Sequence, residues 1–286
     1  MLTNRVVLSL FHALSEQWLS NEDFRGNAVK RTNEFINPFI KAGIHFNKSF
    51  AEKMELLLSE NDGASRTQWM LTYLYVVILY RITFAKKGNK LPTLLLSNLK
   101  DIEVPMFSGC IMLCCIAEYL KENQSVRLVG DDVPAFSYLS SFLSLHTNSK
   151  NESSVDERFL RNRAGDLSFW LSTPMLLQNN YKGVGEPVVV TQDKALKKLI
   201  FRCLPCVFTE NGAMGFSFDE RSFEKVHSEE IKNRILSRVG TFNPTTDRKG
   251  RMRLTPPHPP SQSLCYRLPQ WQQFINPAIG PGRQFL

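Results

Sequence analysis

The stretch SGCIMLCCIAEYLKEN, residues 108–123, decides the fold. Its first two turns carry apolar or small side chains in every direction, so no face is left for water until Glu118. A helix that is apolar nearly all round must be buried among other elements. A second run, WMLTYLYVVILYRITF at 69–84, reads the same way. Arg81 interrupts it, it is shorter than the ~20 residues a membrane span needs, and tyrosines at 73, 75 and 80 suit a packed interior. Both are expected to be core helices, and no transmembrane segment is expected.

Helical spacing continues outward from these two. Val6, Val7, Leu10, Phe11, Leu14 and Trp18 make one stripe over 4–19. A weaker helix over 27–36 is expected to stop near Asn37-Pro38, since proline removes a helical donor. Ser49 is positioned to cap a helix carrying Phe50, Met54, Leu57 and Leu58. The turn Asn61-Asp62-Gly63 precedes the long apolar helix, expected over 66–86. Shorter helices follow at 93–100, 108–122 and 134–146. Ser154 opens another, and Thr173-Pro174 reads as a fresh helix start. Thr191 with Asp193 begins the helix QDKALKKLIFRCL. Strand signals are few: Val188–Val190, and a hairpin over 207–218 about Asn211-Gly212. Asp219 then caps a last helix, with Gly240 at its end.

Fold class is therefore mainly α: a multi-helix globular body with one short β-hairpin and an extended Pro-rich C-terminal arm. A helical lobe over 1–150, a basic helical lobe with the hairpin over 151–240, and the arm over 241–286 are expected. The polar run TNSKNESSV at 147–155 marks the first junction.

The chain of 286 residues carries a formal net charge of +8. The excess is concentrated late. Residues 241–286 hold six Lys and Arg against Asp247 alone, and eight of the fifteen prolines. Such a balance points to an acidic partner, nucleic acid foremost. Three basic groups carry this reading: Lys194, Lys197, Lys198 and Arg202 on one helix; Arg158, Arg161 and Arg163 on another; Arg248, Lys249, Arg251 and Arg253 at the start of the arm. Together they could neutralise phosphates, with Phe169, Trp170 and Tyr181 as stacking faces. A solvated basic surface is the competing explanation for the same residues. In the arm, Trp271, Phe274, Ile275, Phe285 and Leu286 are costly to leave in water and mark a segment that docks on a neighbouring surface.

No catalytic or cofactor pattern is present. The six cysteines do not resemble a disulfide framework, and no secretory leader is evident in the first residues. A reducing intracellular compartment, cytoplasmic or nuclear, is the expectation. Cys203-Leu204-Pro205-Cys206 has redox or half-zinc spacing, but it follows its helix instead of opening one. Two further ligands for zinc are lacking unless His227 and Cys265 supplied them. Structural thiols are expected, with no metal and no cofactor. Gly183-Val184-Gly185 lacks the strand and helix that flank a phosphate loop, and Asp131-Asp132 reads as a loop before a helix. The five histidines sit in no catalytic pattern.

A helical body, a basic surface and an anchored terminal arm are the design of arm-exchanging assemblies, of which viral nucleocapsid and coat proteins are an analogy of architecture alone. The expectation is a non-enzymatic, self-associating protein that binds RNA, or else single-stranded DNA, as in a nucleoprotein particle. The alternative is an intracellular helical adaptor whose Pro-rich tail engages a protein partner.

Overall fold

The computed structural model describes residues 10–85, 107–144, 157–178, 191, 193–208, 214–239, 245–246 and 252–253. Helix accounts for 75% of them, so the fold is mainly α. The chain divides into two compact units, Met1–Met70 and Leu71–Leu286, and the division falls inside a helix.

The first unit holds α1 (Phe11–Ser20), α2 (Glu22–Gly26), α3 (Ala28–Lys41), α4 (Phe50–Glu60) and the first turns of α5 (Asp62–Phe84). Leu14 and Trp18 of α1, Phe24 of α2, Ala28, Thr32 and Ile36 of α3, and Ala51, Met54 and Leu58 of α4 are buried. Their three- and four-residue spacings give each helix one inward stripe. The Asn21 side chain accepts from the Phe24 amide and caps α2. Ser49 precedes α4, but its hydroxyl makes no capping bond. Asp62 ties the last turn of α1 to the first of α5: it accepts from the Trp18 indole at 2.7 Å and from Arg66 Nε at 2.7 Å. Burial works to raise this carboxyl, yet the Arg66 and Trp18 hydrogen bonds outweigh it and hold the group below the usual carboxylate range.

Proline does not end α3 as expected. The helix runs through Pro38 to Lys41, and the Pro38 carbonyl accepts from Ala42. One lost donor is a local cost, whereas the apolar stripe continues past it, with Phe35 and Phe39 in ring contact at 5.9 Å. The long helix also begins earlier than expected, at Asp62, because only Asn61 is needed for the turn.

The second unit is organised around α6 (Ser108–Glu122), in which every residue from Gly109 to Leu120 is buried. Around it lie the remainder of α5, α7 (Ala135–Phe142), α8 (Glu157–Gln178), a π-helical turn (Ala195–Ile200) continued by α9 (Phe201–Cys203), and α10 (Lys225–Val239). A single 3-10 turn, Glu220–Ser222, precedes α10, and it is this turn that Asp219 caps. Thr173-Pro174, expected as a helix start, lies within α8. The hairpin pairs β1 (Cys206–Phe208) with β2 (Met214–Phe216) antiparallel, Val207 opposite Gly215. A two-residue antiparallel ladder also pairs β3 (Thr245–Thr246) with β4 (Met252–Arg253). The expected helix at 93–100, the strand at 188–190 and the turn residues Asn211-Gly212 fall outside the described residues.

Several polar groups of this unit are paired across elements. Lys121 Nζ donates to the Thr83 carbonyl at 2.7 Å, closing the last turn of α5. Tyr119 and His227 hydrogen-bond at 2.7 Å across α6 and α10, and Arg234 lies 5.2 Å over the Tyr119 ring while pairing with Glu122. Burial, followed by a hydrogen bond with Glu230, pushes the Tyr119 phenol up to about 12. No described helix is long and apolar enough to cross a membrane.

Gly109 marks the tightest approach. A Cβ there would lie 2.7 Å from Phe216 Cδ2 and 2.9 Å from Trp170 Cη2. Gly109→Ala gains helix propensity but overpacks the buried Trp170 ring and the half-buried Phe216 ring, for a net loss of about 1–2 kcal/mol. Gly63→Ala, with open space around its Cβ, is the control and should be neutral or stabilising. Urea denaturation of the two variants checks both signs.

Candidate nucleic-acid interface

The cationic helix starts from a locally encoded cap. The Asp193 amide donates to Thr191 Oγ1 at 3.1 Å, and Asp193 Oδ1 accepts from the Leu196 amide at 2.9 Å. From Ala195 the backbone closes as a π-helix, not as the α-helix expected. The burial pattern explains why. Ala195 and Leu196, Leu199 and Ile200, Cys203 and Leu204 are buried doublets repeating every four residues. On an α-helix of 3.6 residues per turn, a four-residue repeat drifts by about 40° each time. The wider π turn drifts the opposite way, so α and π turns together keep the doublets on the core side.

The same geometry arranges the charges. Lys194, Lys197 and Lys198 are exposed and Arg202 is half-exposed. Lys194, Lys198 and Arg202 also follow the four-residue repeat, so they form a row along the helix with Lys197 beside it. The opposite face is buried, which fixes the row's orientation.

The loop before α7 abuts this row. Arg202 Nη2 donates to the Val129 carbonyl at 2.6 Å, and the Val129 amide donates to the Ser222 carbonyl at 3.0 Å. Gly130 takes a φ of 74°, a left-handed conformation that glycine adopts without strain. Asp131 then comes within 3.8 Å of Lys198 Nζ. Its carboxylate also accepts from Tyr138 Oη at 2.8 Å and from the Val133 amide at 3.2 Å. The Tyr138 hydrogen bond, then the Val133 amide, hold this carboxyl below the ordinary range. Asp131 and Tyr138 were not legible as neighbours of the site, because the contact joins residues 67 apart in the chain and no local pattern announces it.

The second basic group is placed differently. Arg163 is 9% exposed, donates to Asp166 Oδ2 at 3.1 Å, and lies 4.8 Å over the Phe159 ring. It packs the core and does not face a ligand. Arg161 is half-buried, and Arg158 belongs to the same helix, α8. Of the stacking candidates, Trp170 is 0% exposed, its indole donates to the Leu204 carbonyl at 3.0 Å, and it lies 4.4 Å from Phe216. Neither ring face is open to a base. Phe169 is half-buried. Arg253 belongs to β4, while Tyr181, Arg248, Lys249, Arg251, Trp271, Phe274, Ile275, Phe285 and Leu286 lie outside the described residues.

The cysteine pair sits beside the site. Cys203 is buried, and burial pushes its thiol up to about 12. Cys206 is half-buried and also raised by burial. His227, the histidine that could have joined them, is engaged by Tyr119. Among the described residues no group of three or more His, Cys, Asp or Glu is placed to hold a metal ion. A thiol whose folded pKa lies above its unfolded value favours folding fully below the unfolded pKa and loses that contribution as pH rises. Stability should thus decline as pH climbs from about 9 toward about 12, as Cys203 and Cys115 come to ionise more readily in the unfolded chain. Urea midpoints over this range check the sign. Alkylation of native protein should label Cys206 ahead of Cys110, Cys114 and Cys203.

Comparison of the chain with protein-family models, with curated proteins and with solved structures finds no match.

Proposed function

We propose that this chain is a non-enzymatic, self-associating nucleic-acid-binding protein, of nucleocapsid or coat type in its design, that engages RNA in preference to single-stranded DNA through backbone charge. The observation that carries this reading is the cationic row Lys194, Lys198 and Arg202, with Lys197 alongside, held on a helix whose other face is buried. Fixed cations meet phosphates without first losing the freedom of a flexible segment. The basic start of the arm, Arg248, Lys249, Arg251 and Arg253, adds further charge in this proposal. Self-association is assigned to the arm's apolar residues Trp271, Phe274, Ile275, Phe285 and Leu286. A reducing compartment fits the buried, unbridged thiols Cys110, Cys114, Cys115 and Cys203.

One observation favours a second reading, a helical adaptor for a protein partner with the Pro-rich tail as its contact. Phe35, Ile40 and Ile44 are 38%, 50% and 38% exposed, and Leu56 and Leu57 are 58% and 41% exposed, in the α3–α4 region. A contiguous apolar face built from such residues would serve as a protein-docking surface.

The triple variant Lys194→Glu, Lys197→Glu, Lys198→Glu should weaken binding to RNA of any sequence. Its salt dependence should flatten, each lost phosphate contact removing about 0.7 from the slope of log K against log salt on a single strand. Fluorescence anisotropy at several salt concentrations measures both. Unmodified protein with no salt-sensitive binding to any oligomer would end this reading.

Deleting residues 262–286 should dissociate the oligomer or lower solubility, read by size-exclusion chromatography with light scattering. A truncated chain with unchanged mass, melting temperature and solubility would remove the arm from the assembly and favour the adaptor.

A further inference from the structure

We infer that Asp131 is a built-in competitor of phosphate at the cationic row, a fixed anion that holds Lys198 in part and so sets how tightly the site binds. The inference rests on the nucleic-acid reading above and adds to it a residue that tunes the site.

Three features of the geometry lead there. First, Asp131 stands 3.8 Å from Lys198 Nζ, at the middle position of the row Lys194, Lys198, Arg202. Second, the carboxylate is held by neutral donors, the Tyr138 hydroxyl at 2.8 Å and the Val133 amide at 3.2 Å. Neither neutralises its charge, so the full anionic charge is presented to Lys198. Third, the loop that carries it is anchored to the same helix by Arg202 on the Val129 carbonyl and to the following turn by the Val129 amide on Ser222. The anion cannot swing away without breaking these bonds.

The Asp131 side chain is only 10% exposed, whereas Lys198 is 51% exposed. Lys198 is therefore free to turn outward while Asp131 stays. An ion pair with one partner this exposed is weak, which makes it displaceable by a phosphate and not a permanent structural bond. Lys197 has no such partner among the described ion pairs and is open to phosphate at all times. The row is graded: Lys197 binds first and Lys198 exchanges between its internal anion and the ligand.

The test uses full-length protein and fluorescein-labelled oligo(rU), with affinity measured across salt concentrations. Asp131→Asn should tighten binding about two- to fivefold at low salt, the range of an exposed ion pair, and should steepen the salt slope. The gain should vanish in the Lys198→Gln background, since the cycle isolates the pairwise coupling. Tyr138→Phe removes one donor to the carboxylate but leaves its charge, and should tighten binding less than Asp131→Asn does. An Asp131→Asn gain that persists without Lys198, or that Tyr138→Phe reproduces, overturns the inference. So does an unchanged Asp131→Asn affinity. If Asp131→Asn lowers the melting temperature too far to be measured folded, two variants with Asp131 intact decide: Lys197→Gln should cost more affinity than Lys198→Gln, and the reverse order overturns it. Wild-type protein that fails to bind oligo(rU) rejects the nucleic-acid reading itself, a result distinct from normal binding with an inert Asp131.

Discussion

Twelve consecutive buried residues in one helix, Gly109 to Leu120 of α6, set the terms for the rest of the second unit. An α-helix ordinarily buries a stripe and gives its other side to water. With no side left for water, α6 requires neighbours in every direction, and α7, α10 and β2 supply them. The requirement reaches into details. Gly109 exists as glycine where two aromatic rings close on the helix, and Glu118 and Tyr119 carry polar atoms that need partners at once. Those partners come from α10, through Arg238 at 3.8 Å and His227 at 2.7 Å. An unpaired polar atom in such a place costs more than the hydrogen bond returns. The polar pairs therefore fix the register of α10 against α6, a specificity that apolar packing alone would leave looser.

The sequence made this centre readable because its signal is strong and local. The span 108–122 was fixed to the residue, since apolar character with flanking polar residues leaves one placement. Proline misled in two places, for a shared reason. At Pro38 and at Thr173-Pro174 the helix runs on through the proline, because one lost backbone donor is a local cost that a long helix absorbs. The π turn was present in the sequence as buried-type doublets at 195–196, 199–200 and 203–204, but a search set to the α-helical repeat passes over a four-residue one. Trp170 and Arg163 show the opposite limit. Composition cannot tell an aromatic or an arginine that faces a ligand from one that faces the core, because the same planar chemistry serves both. Arg163 stacks on Phe159 inside the fold much as it could stack on a base outside it.

That ambiguity bears on how charge is distributed over the molecule. Basic residues fall into those used up by the fold, such as Arg163 with Asp166 and Arg234 with Glu122, and those left facing solvent on the π turn. Net charge counts both alike, yet only the second kind contributes to a field that a polyanion can meet. In the proposed function, the cations on the π turn matter beyond their number because burial of the opposite face orients them.

Orientation also exposes them to the protein's own carboxylates. A lysine on a mobile tail can avoid an acid, whereas Lys198, on a helix packed by Leu199 and Ile200, has its backbone fixed beside Asp131. The pair is too exposed on the lysine side for a large Coulomb gain, since attraction at this separation in a high dielectric is about 1 kcal/mol. A phosphate offers attraction of the same order and adds the release of its own counterions, which the internal carboxylate cannot match. The balance between internal and external anion is therefore close, and it tilts with salt. A fold that needed Lys198 for stability would have buried the pair, and one that needed its full charge for binding would have kept the acid away. In the proposed function, the intermediate arrangement, a rigid acid beside a mobile base, lets ligand and protein compete on nearly equal terms.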